Sequence, residues 1–119
     1  LLLAQGEPVA ALAAIQESLR LAHEMNMVRD EGIALGILGQ VLAAEGASAD
    51  ADNAFQRSLE LLADEPYERA RSQMAWGFAQ QHRGDLVSAH ELITAAEQTF
   101  TRLGAQRDCI LSFNSYFPL

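Results

Sequence analysis

The sequence predicts an all-α fold, a solenoid of antiparallel helix pairs with about six helices, and three observations carry that reading. The first is a pattern that recurs after Gly6, Gly46 and Gly84. Five residues on stands an alanine (Ala11, Ala51, Ala89), nine on a large apolar residue (Ile15, Phe55, Ile93), and twelve on a small one (Ser18, Ser58, Ala96). Twenty on comes a helix terminator: Asn26, Pro66 or Gly104. A repeat of this length that is helical throughout marks stacked helix pairs. The second observation is composition. Half of the 119 residues are hydrophobic and only 7% are aromatic, with alanine plentiful, which favours closely packed helices over a β-sandwich. The third is a pair of glycines at equivalent positions, Gly39 and Gly77, each seven residues before its turn glycine. Glycine within a helix costs about 1 kcal/mol relative to alanine. Two at matching places imply that backbones approach closely there, with Ala51 and Ala89 opposite.

The elements follow in order. Residues 1–5 read as the last turn of a helix that began upstream, and the chain as a piece of a longer protein. Gly6-Glu7-Pro8 is a turn with proline at a first helical position, where its missing N–H costs nothing. Val9, Leu12, Ile15, Leu19 and Ala22 then form one apolar stripe on a helix to about Met25, and Asn26 can end it in a left-handed conformation. A second helix, from about residue 29 to 45, carries Ile33, Leu35, Ile37, Leu38, Val41 and Leu42 on more than one side, as a helix covered on both flanks does. After Gly46-Ala47-Ser48, a third helix over about 49–63 puts Ala51, Phe55, Ser58, Leu59 and Leu62 on one face. Asp64-Glu65-Pro66 stops it and starts a fourth, to about Arg83, with Ala70, Met74, Trp76, Phe78 and Ala79. Gly84 turns the chain and Asp85 is placed to cap a fifth helix ending near Gly104. A sixth is expected from about Ala105, holding Cys109, Ile110 and Phe113, before a tail over 114–119 that Pro118 keeps from being helical.

Bulk properties exclude several functions. The net charge is −8, and all eight basic residues are arginine, so no clustered positive surface is present for a phosphate backbone; direct nucleic-acid binding is not expected. Glu45, Asp50, Asp52, Glu60, Asp64, Glu65 and Glu68 share their stretch with Arg57 alone, an acidic excess that reads as a solvated face or a docking surface for a basic partner. Cys109 is the single cysteine, which rules out an internal disulfide and a thiolate metal cluster and fits a reducing, cytoplasmic setting. The longest uncharged run, residues 32–44, is too short to span a bilayer, so no membrane association is expected.

Catalytic and metal-binding patterns are incomplete. His90-Glu91-Leu92-Ile93-Thr94 has Thr94 where the zinc-protease helix motif needs its second histidine, and His23-Glu24 has Met27 there. No phosphate-cradling glycine loop or nucleophile elbow is present. The expectation is a non-enzyme with no cofactor and no metal.

The repeat resembles the tetratricopeptide repeat. Around Gly46 the match rests on Leu35, Leu38-Gly39, Leu42, Gly46, Ala51, Phe55 and Ser58; around Gly84 it rests on Trp76-Gly77, Gly84-Asp85, Ala89, Ile93 and Ala96. Gly6, Ala11, Ile15 and Ser18 supply a second helix only. Gln73 and Gln80 depart from the bulky and aromatic residues usual at their places, and the spacings of 40 and 38 residues exceed the standard 34. Such long repeats are similar to those of large bacterial regulators that join helical arrays to ATP-binding and LuxR-type DNA-binding modules. The resemblance covers residues 1–113 and implies a right-handed superhelix whose concave surface binds a peptide or helix.

By that register the groove is lined by Ile33, Gly36, Gln40, Ala43 and Ala44 from one repeat and Arg71, Met74, Phe78, Gln81 and His82 from the next. Mostly apolar with a few polar points, it suits an amphipathic helix or an extended peptide; another domain of the parent protein could equally cover it. Gly32 and Gly36, beyond what packing within the pair requires, are expected to admit a partner backbone. Arg29, Arg69 and Arg107 are expected to pair with their neighbours Asp30, Glu68 and Asp108. The apolar ends, Leu1 to Leu3 and Phe113 to Leu119, imply self-association of the chain. A structural spacer, or an effector sensor with its pocket around Met74 and Phe78, are the alternative functions.

Overall fold

A computed structural model describes residues 8–104, with side chains from residue 10 onward. It contains five helices: α1 (Pro8–Glu24), α2 (Val28–Ala44), α3 (Ser48–Leu61), α4 (Pro66–His82) and α5 (Leu86–Leu103). The fold is all-α, with no strand among the described residues. The expected sixth helix, the helix end at residues 1–5, Arg107, Cys109 and the tail lie outside the described residues.

Three of the turns are built alike. Asn26, Gly46 and Gly84 each take a positive φ, of 55°, 82° and 95°. In each, the N–H of the following residue donates to a carbonyl five residues back: Met27 to Ala22 at 2.8 Å, Ala47 to Leu42 at 2.9 Å, Asp85 to Gln80 at 2.9 Å. This is the Schellman closure, which needs a residue tolerant of the left-handed region just past the helix and satisfies carbonyls left free at its end. Pro66 instead opens α4 at its first position, and Gly104 ends α5 at φ 73°. Asp85 precedes α5 as expected, but its side chain makes no capping hydrogen bond; its carboxylate is taken by Arg83 Nε at 2.5 Å.

Within each pair, the helix glycine seats the large residue nine positions after the turn glycine. A Cβ placed on Gly39 would lie 2.9 Å from three ring carbons of Phe55, so the ring lies face-on against the α2 backbone. A Cβ on Gly77 would lie 2.6 Å from Ile93 Cγ1 and 3.2 Å from the Ala89 carbonyl oxygen. Gly32 meets Leu62 at the far end of α3, so α2 and α3 run antiparallel. Ala51, Ala89 and Ala11, the alanines of the repeat, are all buried.

The two pairs are joined through α4, which packs on both α2 and α3. Ser58 Oγ donates to the Gly32 carbonyl at 2.7 Å and shares a 2.8 Å hydrogen bond with Ser72 Oγ, tying α2, α3 and α4 at one buried point. Nearby, Phe55 stacks on Trp76 with centroids 5.8 Å apart. In the second pair the matching place is apolar: Ala70, Met74, Ala96 and Phe100 form a core cluster, with Tyr67 edge-on to Phe100 at 5.7 Å. The first repeat differs at one point. Ser18 is exposed, whereas Ser58 and Ala96 are fully buried. The later two are covered by the first helix of their own pair, while α1 packs chiefly on α2 among the described helices.

Candidate functional site

α2 and α4 lie side by side in parallel, with Arg29 near Glu68 toward their N-terminal ends and Gly36 against Ser72 further along. Of the ten residues expected to line a groove here, Ile33, Gln40, Ala43, Arg71 and Phe78 are half-buried, and Ala44, Gln81 and His82 are exposed. The other two are not on the surface. Met74 is only 5% exposed, packed with Ala70, Ala96 and Phe100, because α4 turns that position toward α5. The space drawn for an effector pocket around Met74 is therefore filled by core side chains.

Gly36 is buried, and a Cβ there would meet Ser72 Oγ at 2.5 Å and Ser58 Oγ at 3.3 Å. Gly32 is closed off by Leu62 and Leu61. The backbones these glycines admit belong to the chain itself. The expectation that they hold open a path for a partner is corrected on that ground.

The remaining face is chemically simple. Ile33, Ala43 and Phe78 offer apolar area, Gln40 and Gln81 offer amide donors and acceptors, and Arg71 lies 6.0 Å above the Tyr67 ring and 3.6 Å from Glu68. Such a surface can hold a ligand by dispersion and a few directed hydrogen bonds.

A second constellation escaped the sequence reading. Asp52 of α3 accepts from Trp76 Nε1 at 2.8 Å and is held in a two-point bridge by Arg83, at 3.1 and 2.9 Å. The guanidinium also reaches Asp85, and these hydrogen bonds, Asp52's foremost, raise the Arg83 pKa above its ordinary value. The residues are 24 and 31 positions from Asp52, so no local pattern announces them. Only the docking of one pair on the other brings them together.

This rearranges the acidic stretch. Asp52 is engaged by Arg83, and Glu65 and Glu68 by Arg29 at 3.7 and 3.3 Å, which leaves Glu45, Asp50, Glu60 and Asp64 exposed without an ion pair among the described residues. The surface offered to a basic partner is thus smaller than the sequence implied. The pairing expected of the arginines with their neighbours is found for Arg29 and Asp30 at 3.7 Å but not for Arg69, because Glu68 pairs with Arg29 and Arg71.

Among the described residues, no group of three or more His, Cys, Asp or Glu side chains is arranged to hold a metal ion, and no helix is long and apolar enough to cross a membrane. Comparison with protein-family models, with curated proteins and with solved structures gives no match.

Proposed function

We propose that this chain is a non-catalytic interaction module whose helix pairs continue as a right-handed, tetratricopeptide-like superhelix, with the α2–α4 face as its binding surface. A cytoplasmic place within a bacterial multidomain regulator belongs to the same reading. One observation carries it. Two helix pairs repeat the same seat, Gly39 on Phe55 and Gly77 on Ile93, which leaves their first helices parallel and adjacent with matching positions facing the same way. The half-buried Ile33, Ala43 and Phe78 among the amides of Gln40 and Gln81 fit the apolar side of an amphipathic helix laid across them.

The test is selection from a displayed library of amphipathic helical peptides, followed by amide chemical-shift mapping. Selected peptides are expected to shift resonances of α2 and α4 and to lose binding in Gln40→Arg/Gln81→Arg, whose side chains can be lengthened without entering the core. Binders that map instead to Leu86 and Val87, the exposed apolar start of α5, or that ignore the double substitution, would contradict the proposal.

A further inference from the structure

A cleft of about 390 Å³ opens on the side of α4 reached by the C-terminal half of α5; Pro66 and Ala70 wall it, and Arg69, Gln73, Thr99 and Arg102 line it. No carboxylate of the described residues lines it. That is notable in a chain with 16 acidic residues and eight arginines. Arg20, Arg29, Arg71 and Arg83 are each ion-paired, whereas Arg57 on the exposed side of α3 and the cleft residues Arg69 and Arg102 have no acidic partner among the described residues. The carboxylates nearest in sequence do not supply one: Glu68 faces Arg29 and Arg71, and Glu65 faces Arg29.

Two guanidinium groups lining one cleft with no counter-charge among the described residues favour an anion between them. Gln73 points to the same ligand independently. It is only 8% exposed, lies one helical turn from Arg69, and its amide has no hydrogen-bond partner among the described residues. Its amide borders the cleft and is open there to a bound group that can accept from it. Thr99 gives its one hydroxyl proton to the Ala95 carbonyl at 3.1 Å and so has no donor left for an anion.

We infer that this cleft binds the phosphate group of a small phosphate monoester. Two forked guanidinium cations match the charge and oxygen geometry of a dianionic phosphate. Gln73 NH₂ donates to a third oxygen, and Pro66 and Ala70 give the organic part an apolar wall. The start of α4, where the helix dipole is positive, adds to the attraction. The site lies apart from the α2–α4 face and does not depend on the function proposed for it.

The experiment is a nitrogen-edited NMR titration of the Gln73 side-chain amide and the arginine Nε–H groups, with inorganic phosphate and with glycerol 3-phosphate, ionic strength being held constant with sodium chloride. Saturable shifts at Gln73, Arg69 and Arg102 are expected, lost in Arg102→Gln and in Arg69→Gln and kept in Arg57→Gln, an exposed arginine on α3 outside the cleft. Tighter binding of the ester than of phosphate identifies the ester as the ligand class. Equal affinities support the anion site but assign it to free phosphate. Shifts that sodium chloride alone reproduces, or that persist in both cleft variants, would overturn the inference.

Discussion

Phe55→Ala is expected to destabilise the protein by about 3–5 kcal/mol, the usual cost of truncating a fully enclosed phenylalanine. The ring is 0% exposed, rests on the backbone at Gly39, and stacks on Trp76. It therefore belongs at once to α2, α3 and α4, and the cavity left behind has helix backbone on one side that cannot collapse inward. Against a total stability of about 5–15 kcal/mol for a domain of this kind, that loss is large. Denaturant unfolding followed through Trp76, the single tryptophan, measures it at the junction concerned. Phe55→Leu, which keeps most of the volume, should cost less than about 1.5 kcal/mol. A loss of under about 1 kcal/mol in the alanine variant, well below the range for such sites, would mean that Phe55 does not join the pairs.

Gly36→Leu is also expected to destabilise, by about 1–3 kcal/mol net. Replacing glycine inside a helix gains about 1 kcal/mol of propensity on its own. Here the first added carbon would already lie 2.5 Å from Ser72 Oγ, and three more must follow it. Ser72 is itself buried and hydrogen-bonded to Ser58, so it has nowhere to swing, and displacing it breaks the bond that ties three helices. Overpacking of a close-packed core costs about 1–3 kcal/mol or more, and a lost buried hydrogen bond adds about 1 kcal/mol. Thermal and denaturant unfolding check the sum. Gly36→Ala combined with Ser72→Ala, which removes the obstructing oxygen, should recover part of it. A Gly36→Leu protein as stable as the parent would show that α2 and α4 do not meet at this point.

Much of the fold was legible because its signals are local or strictly periodic. The left-handed closures at Gly46 and Gly84 and the proline start of α4 are properties of a few adjacent residues. The seating of Phe55 and Ile93 follows from a spacing that recurs intact in both pairs. Burial between pairs was not legible. Gly36 and Met74 occupy the same register position, and that register alone assigned both to an open groove. Whether the position is open depends on how near the next helix comes, which the Ser58–Ser72 bond helps set for Gly36 and the fit of Phe100 and Ala96 sets for Met74. Gln73 and Gln80 read as polar substitutions in the repeat, yet both are buried, and the Gln80 carbonyl oxygen has no hydrogen-bond partner among the described residues. Composition cannot reveal this, because a glutamine on a solvated face and one under a neighbouring helix are spelled alike. The Asp52, Trp76 and Arg83 cluster and the arginine-lined cleft were invisible for the related reason that their members come from different helices.

The most direct measurement is a double-mutant cycle on the seat that recurs, using Gly77→Ala, Ile93→Ala and the two together, each followed by denaturant unfolding. If the glycine exists to receive Ile93, Gly77→Ala destabilises despite its better helix propensity, and Ile93→Ala relieves part of that strain. The double variant then loses less than the sum of the singles, by a coupling of about 0.5–3 kcal/mol. Additivity within about 0.3–0.5 kcal/mol, or a Gly77→Ala variant that gains the roughly 1 kcal/mol propensity alone confers, would contradict it.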